Sequence, residues 1–196
     1  GFHRMDSVRE DFFVDLSRYV EGCGIALLSA DQLKDSRDKF DSERIGNLFG
    51  VDISNSKVMI SDLVEVKDES ILRLDKRIYN INSEMRLKDE KEPWAYKVKT
   101  NSARIIAEDN QRTPLLLMNS YGKGYAFLFT SPTLSIIPPV GGNGLVQDVI
   151  DKMAKYKGLP VSVSPSSENV EFLLSKTGTD KATIFIMNHG PQDWDG

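Results

Sequence analysis

The sequence predicts a mixed α/β fold, and three observations carry that prediction. Residues 7–21 and 144–157 have the apolar spacing of amphipathic helices. The run 24–29 is short and continuously apolar, which is typical of a strand covered on both faces. Between residues 94 and 130, four strand-like runs are separated by turn residues.

The first helix is predicted over residues 7–21. Ser7 and Glu10 have the spacing of a capping box, in which the hydroxyl and the carboxylate each accept an orphan backbone N–H. Gly22 and Gly24 end the helix, since glycine adopts a positive φ without steric cost. The apolar stripe repeats every four residues and consists of Val8, Phe12, Leu16 and Val20.

The next part of the chain predicts a loop, a short helix and a strand. Residues 30–41 are polar and charged and predict the loop, in which a short helical turn is the alternative. Ser42 to Phe49 predicts a helix that begins with its own serine as the cap and ends at Gly50. The loosely alternating run 58–66 predicts the strand.

An antiparallel meander of four strands is predicted next, with turns at 109–110 and 121–124. Its strands are 94–99, 103–107, 114–118 and 125–130. The helix 144–157 follows, and Gly158 and Pro160 end it. Three short strands are predicted in the tail, at 161–163, 170–174 and 183–187.

Composition and charge exclude several classes of protein. The chain has 196 residues, of which 40% are hydrophobic and 28% charged, as in ordinary globular proteins. The net charge is -4, and basic residues such as Arg73, Lys76 and Arg77 alternate with acids, so no nucleic-acid partner is expected. No apolar run approaches the roughly 20 residues that span a bilayer, so no membrane partner is expected either.

No residue constellation able to run a reaction stands out. Cys23, the one cysteine, lies between a predicted helix and a predicted strand, whereas a nucleophile elbow has the opposite order. We therefore expect a buried or half-buried structural cysteine. The histidines are His3 and His189, and a catalytic pairing of Cys23 with His189 is the weaker interpretation. No ligand spacing for a metal is present, and no cofactor is expected.

Carboxylates and aromatic residues supply the other candidate sites. The 29 Asp and Glu residues make a chance pair at glycosidase spacing almost inevitable, so the sequence singles out none. The turn from Tyr121 to Gly124 is followed by a strand, which favours a hairpin over a phosphate-binding loop. Trp94 and Tyr96 are candidate sugar contacts, because aromatic faces stack on pyranose rings, while core packing at a strand start is the competing interpretation.

Five segments in chain order resemble the class I glutamine-amidotransferase-like domain associated with glycoside hydrolases. The nearest version is the trimerisation domain of the family 42 beta-galactosidases. The segments are Tyr-Val-Glu-Gly-Cys-Gly at 19–24, Arg-Ile-Gly-Asn-Leu-Phe-Gly at 44–50, the strands and Tyr-Gly-Lys-Gly turn at 103–127, the helix at 145–159, and the tail strands at 170–174 and 184–189. The sequence departs from this pattern at Cys23, where the family tends to have glycine.

This resemblance implies a fold and a role. The fold would be an amidotransferase-like (flavodoxin-like) three-layer α/β unit over residues 1–160, followed by the start of a small β-domain over 161–196. The first strands of the amidotransferase-like sheet are expected before Gly1, which would leave this unit incomplete at its N-terminus. Such domains are generally non-catalytic, so the catalytic carboxylates would lie in a neighbouring barrel.

Three functions follow as alternatives. The first is a non-catalytic accessory domain of a carbohydrate-active enzyme, which serves subunit assembly or shapes a sugar-binding cleft. Its partner would be another copy of the chain or a neighbouring catalytic domain. The second is an independent carbohydrate-binding module that uses Trp94 and its neighbours. The third is a cysteine-dependent amidohydrolase that uses Cys23.

Overall fold

The computed structural model describes residues 10–35, 37–67, 71–80, 93–132, 144–158, 170–176 and 182–188. Its elements, in chain order, are α1 (Glu10–Glu21), β1 (Ile25–Ser29), a 3-10 helix (Ala30–Leu33), α2 (Ser42–Phe49), β2 (Val51–Met59), β3 (Leu63–Val66), β4 (Ile78–Asn80), β5 (Trp94–Thr100), β6 (Arg104–Asp109), β7 (Pro114–Tyr121), β8 (Gly124–Phe129), α3 (Leu145–Tyr156), β9 (Val170–Lys176) and β10 (Ala182–Asn188).

A mixed six-stranded sheet organises the molecule, which confirms the predicted α/β class. Its strand order is β1-β8-β7-β6-β3-β4. β1 runs parallel to β8, with Ile25 opposite Tyr125 and Ser29 opposite Phe129. The other neighbours in this sheet are antiparallel. Among the described strands, β9 and β10 pair with each other as a separate hairpin. The predicted boundary between two domains at residue 160 stays a prediction.

Two expected strand assignments are wrong. The first meander strand, β5, pairs with β2 in a separate two-stranded sheet, so the meander consists of β6, β7 and β8. The single strand expected at 58–66 is divided between β2 and β3. The division has a physical cause, because the buried carboxylate of Asp109 accepts the Ser61 N–H at 3.0 Å and Ile60 donates to Pro93 O at 3.1 Å. The expected strand at 161–163 and the capping box at Ser7 lie outside the described residues.

The predicted helices form where the sequence places them, with one change of cap. α2 begins after Asp41, whose carboxylate accepts the Arg44 N–H at 3.1 Å, so Asp41 is the N-cap and Ser42 is the first helical residue. At the other end Gly50 has φ 69° and donates to Gly46 O. An added Cβ on Gly50 would lie 2.5 Å from Ser102 Oγ, so both the conformation and the close packing require glycine.

Apolar cores on both faces make the fold three-layered. On one face, α1 and α2 pack on the sheet with β2 and β5, around buried residues such as Phe13, Leu48 and Leu128. On the other face, α3 buries Leu145 and Val149. No helix within the described ranges is long and apolar enough to cross a membrane.

Polar contacts hold α3 beside β4. Tyr79 donates its hydroxyl to Asp148, and the Asp75 N–H donates to the same carboxylate at 2.7 Å. Lys152 pairs with Asp75 and lies 3.8 Å from Asp148. Burial, together with the hydrogen bond to Asp148, raises the pKa of Tyr79. The hydroxyl therefore stays protonated at neutral pH and acts as a donor that fixes the helix.

Candidate functional site

The carboxyl ends of the parallel strands β1 and β8 are the place to look for a site, because ligands of α/β sheets bind beyond those ends. The predicted sugar contacts lie there. Tyr96 donates its N–H to Thr130 O at 3.0 Å, directly after β8. Ser131 donates its hydroxyl to Trp94 O at 2.6 Å. These bonds hold the start of β5 against the carboxyl end of the sheet.

Five side chains at this end form what we call the aromatic–lysine cluster: Lys34, Phe40, Lys57, Trp94 and Tyr96. The Tyr96 ring meets the Phe40 ring edge-on at 5.0 Å and the Trp94 ring edge-on at 4.9 Å between centroids. Such edge-to-face contacts bring the positive edge of one ring to the negative face of another.

Two ammonium groups complete the cluster. Lys34 Nζ lies 4.8 Å from the centroid of Tyr96 and 5.2 Å from that of Phe40. Lys57 Nζ lies 3.8 Å from the centroid of Trp94. Both ammonium groups are within the range at which a cation is attracted to the electron-rich ring face.

Lys34 is a structural cation in this environment. Its side chain is only 9% exposed, and Nζ pairs with Asp38 at 3.0 Å. Burial lowers the pKa of Lys34, but hydrogen bonds to Asp38 and Tyr96 outweigh it, so the pKa lies above its ordinary value. A general base or a Schiff-base nucleophile needs a lowered lysine pKa. Lys34 therefore stays charged at neutral pH and lacks the free amine of either role.

Trp94 and Tyr96 present little ring surface in this arrangement. Tyr96 is 4% exposed and belongs to the core beneath α2. Trp94 is half-buried, and Lys57 lies over its ring. A stacked sugar would have to displace the Lys57 ammonium from the indole. The structure brings the two rings together, and their contact with sugar stays a prediction.

The hydroxyl groups at this end are committed to backbone or side-chain acceptors. Thr130 donates to Pro114 O at 2.7 Å, Ser131 donates to Trp94 O, and Ser29 donates to Asp31. All three hydroxyl residues are buried. A serine nucleophile would need a base as its acceptor, and the backbone carbonyls that accept from Thr130 and Ser131 are not bases, so these two hydroxyls hold the loops in place. The Ser29–Asp31 bond lies within the turn that follows β1. Both histidines lie outside the described residues, and among those described no three His, Cys, Asp or Glu residues are grouped to hold a metal ion.

Cys23 lies at the opposite, amino end of the parallel strands. The expectation of a buried or half-buried thiol is wrong, because Cys23 is exposed. It has φ 80° in the turn that joins α1 to β1, and the Lys157 ammonium donates to its carbonyl oxygen. A tight turn between glycines projects the side chain outward. The order of helix, turn and strand is the one that the sequence indicates, the reverse of a nucleophile elbow.

The Tyr121–Gly124 turn packs against this same α1–β1 connection. Lys123 donates its N–H to Glu21 O at 3.0 Å, and Tyr125 donates to Gly24 O at 3.0 Å. A Cβ on Gly124 would lie 2.1 Å from Val20 O. The turn is a hairpin between β7 and β8, as predicted, and its glycine pattern is explained by backbone packing.

Sequence analysis missed three members of the aromatic–lysine cluster. Lys34 and Phe40 lie in a polar segment that predicts a loop, and an isolated bridge between them closes that loop. Lys57 follows a register shift in β2, between Ile53 and Lys57. No local pattern reveals these contacts, because each depends on pairing with the distant β5.

Comparison with known proteins gives structural likenesses alone. No family model matches the chain, and no curated protein matches it. Among solved structures, a beta-galactosidase from Bacillus circulans sp. alkalophilus matches with a TM-score of 0.61 and 17% identity, over 95% of this chain and 26% of that one. A cold-adapted beta-galactosidase from Rahnella sp. R3 matches with a TM-score of 0.57 and 18% identity, over 95% of this chain and 26% of that one.

A third likeness agrees with these two. Gan42B, a GH42 beta-galactosidase from G. stearothermophilus, matches with a TM-score of 0.53 and 18% identity, over 95% of this chain and 25% of that one. The chain spans about a quarter of the length of the structures that it matches. At this level of identity the likeness concerns the fold. The resemblance that the sequence predicts is thus confirmed as one of fold: this chain folds like a region of the family 42 beta-galactosidases.

Proposed function

We propose that this chain is a non-catalytic accessory domain of a carbohydrate-active enzyme, with an amidotransferase-like, flavodoxin-related architecture. The observation that carries the proposal is the match of 95% of this chain to only a quarter of each beta-galactosidase. A region of that size supports a neighbouring catalytic domain by joining subunits or by shaping the cleft. The enzyme's own substrates and partners belong to this proposal as well.

The chemistry of the described side chains supports this role. The buried hydroxyls of Ser29, Thr130 and Ser131 donate to fixed acceptors, and Lys34 is held as a cation. The buried carboxylate of Asp109 accepts the N–H groups of Gln111 and Thr113 at 2.9 and 2.7 Å. Each of these groups makes a hydrogen bond or an ion pair that stabilises a turn or a loop, and we assign it that structural role.

Two measurements test the proposal. The chain alone, incubated with nitrophenyl glycosides, is expected to release no nitrophenol above the buffer rate. Release that survives purification and is lost on a single carboxylate substitution would overturn the non-catalytic assignment. Joined to the catalytic part of its parent enzyme, the chain is expected to change the subunit number or the KM for oligosaccharides, and no effect on either would contradict the accessory role.

The position of Trp94 favours a second function, an independent carbohydrate-binding module. The half-buried indole lies at the carboxyl end of the parallel strands, where α/β folds bind ligands. Calorimetric titration with galactose-containing oligosaccharides tests it, with Trp94→Ala as the matched variant. Heat that saturates in the native chain and disappears in Trp94→Ala would support a binding module, and no heat with either would remove it.

The third function, a cysteine-dependent amidohydrolase, has only the exposure of Cys23 in its favour. The thiol follows α1 and precedes β1, so no helix N-terminus begins at it. Glutamine hydrolysis by the native chain that is absent in Cys23→Ser would support this function. We expect equal rates of ammonia release from both, at the level of the buffer.

A further inference from the structure

We propose that Lys57 and Trp94 form a site for an acidic saccharide, in which the ammonium pairs with the carboxylate of a uronic acid and the indole stacks on its pyranose ring. The inference rests on the second function proposed above, carbohydrate binding at Trp94, and adds the class of sugar. The observation behind it is the position of one cation, because Lys57 Nζ lies 3.8 Å from the centroid of Trp94.

The Lys57 ammonium is held by a ring and not by a carboxylate. Among the residues that the structure describes, it contacts the indole and forms no ion pair. Its charge is therefore available to a bound anion. Lysines elsewhere in the described part do form ion pairs: Lys34 with Asp38, Lys67 with Glu65 and Glu108, and Lys152 with Asp75 and Asp148.

A carboxylate competes well with the indole for this ammonium. The attraction of an exposed ammonium to a ring face is weaker than a charge-assisted hydrogen bond to a carboxylate. Lys57 is exposed, and its flexible stem lets Nζ leave the ring without movement of the strand. A carboxylate therefore draws the ammonium off the indole and uncovers the ring face. A neutral sugar would displace the same ammonium and give it no charged partner in return.

The indole itself is held in place. Ser131 donates its hydroxyl to Trp94 O at 2.6 Å, and the Tyr96 ring meets the indole edge-on at 4.9 Å between centroids. Tyr96 is 4% exposed, so it is a fixed support. The site thus combines a preorganised aromatic surface with a cation that can move, and the first of these lowers the cost of ordering on binding.

The surroundings of Trp94 suit a pyranose, which has an apolar C–H face and polar edges. Met59 lies opposite Trp94 in the β2–β5 register, on the same face, and is 47% exposed. It widens the apolar surface beside the indole. Directly before Lys57 the register shifts, and Asn55 and Ser56 are exposed there. Their amide and hydroxyl groups are suited to sugar hydroxyls.

Fluorescence titration of the Trp194→Phe chain, in which Trp94 is the one emitter, tests the proposal. The probes are oligomers of galacturonic acid and of galactose, matched in length. We expect a saturable change in Trp94 emission, with about fivefold tighter binding of the acidic oligomer, as for one exposed ion pair. The difference should shrink as the salt concentration rises. Equal affinity for the two oligomers, or no change with the acidic one, would overturn the proposal.

Lys57→Met tests the role of the ammonium, because methionine removes the charge and keeps an apolar stem. We expect it to weaken binding of the acidic oligomer about fivefold and to abolish the preference over the neutral one. Lys97→Met is the matched control. Lys97 is also exposed but follows Tyr96 on β5, which places it on the opposite face of the strand. An equal loss in both variants would mean a general attraction of charge, and would contradict this site.

Sodium acetate separates the saccharide from its carboxylate. It supplies the anion without a pyranose ring, so we expect no saturable change in Trp94 emission over the concentrations at which the acidic oligomer binds. Acetate that reproduced the midpoint of the acidic oligomer would show a site for small anions alone and would overturn the proposal.

This site and the proposed functions fail in different ways. Equal binding of neutral and acidic oligomers would keep the carbohydrate-binding module and remove its preference for acidic sugars. Binding of neither would remove the site and the module together. The accessory role would still stand or fall by the subunit number and the KM of the parent enzyme.

Discussion

The two ends of the parallel pair β1–β8 are packed by different means. At the amino end backbone meets backbone, and a Cβ on Gly124 would lie 2.1 Å from Val20 O and 2.2 Å from Gly24 O. At the carboxyl end the aromatic–lysine cluster makes its contacts through rings and ammonium groups, at 3.8–5.2 Å from ring centroids. At the amino end there is no space for a side chain on Gly124, whereas the side chains at the carboxyl end can adjust by rotating about their torsion angles.

The largest effect is expected from Gly124→Ala. The added methyl would lie at 2.1–2.2 Å from two backbone oxygens, which cannot move without breaking the contact between the β7–β8 turn and the α1–β1 connection. We expect a loss of more than about 4 kcal/mol in the free energy of unfolding, at the level of exceptional substitutions. Urea denaturation followed by circular dichroism measures it.

Gly158→Ala is the matched control for that substitution. Gly158, unlike Gly124, has a positive φ, of 64°, but a Cβ there would meet nothing within 4 Å. Only the strain of a left-handed alanine applies, which is about 1 kcal/mol. If both variants lost the same stability, backbone packing at the amino end would not be the cause.

Lys34→Met tests the carboxyl end. Methionine keeps most of the apolar stem and removes the ammonium from between the rings of Phe40 and Tyr96. The loss of a nearly desolvated cation–π contact and of the pair with Asp38 is expected to lower the free energy of unfolding by about 1–2 kcal/mol. A loss as large as that of Gly124→Ala would contradict the proposed contrast between the two ends.

The pH dependence of the same variant gives a second measurement. The folded-state pKa of Lys34 lies above its ordinary value of 10.5, so the folded protein binds this proton more tightly than the unfolded chain. The stabilisation is therefore fully present below about pH 10.5 and is lost as the pH rises through the folded pKa. The difference between native and Lys34→Met chains should be constant at neutral pH and shrink in alkali.

The difference between the ends also explains what the sequence could predict. The amino end is local: α1, the two glycines around Cys23 and the Tyr121–Gly124 turn all carry short-range signals, and the predicted elements form there. The carboxyl end depends on the pairing of β2 with β5, about 40 residues apart in the chain. Periodicity indicates that a segment is a strand, but it does not name the partner. The sequence therefore predicts the wrong neighbours for the strand that begins at Trp94.

The smallest effect is expected from Lys57→Ala, which removes the ammonium that lies 3.8 Å from the Trp94 centroid. Lys57 is exposed, so the cost in free energy of unfolding is about 0.5 kcal/mol. The sensitive measurement is acrylamide quenching of Trp94 fluorescence in a Trp194→Phe background, where Trp94 is the one emitter. We expect quenching to increase, because the neutral quencher reaches the ring face that the lysine covered.

Lys97→Ala, on exposed β5 surface, is the control and should leave quenching unchanged. If Lys57→Ala behaved like Lys97→Ala, the lysine would not shield the indole, and the Trp94 face would already be open to a sugar ring.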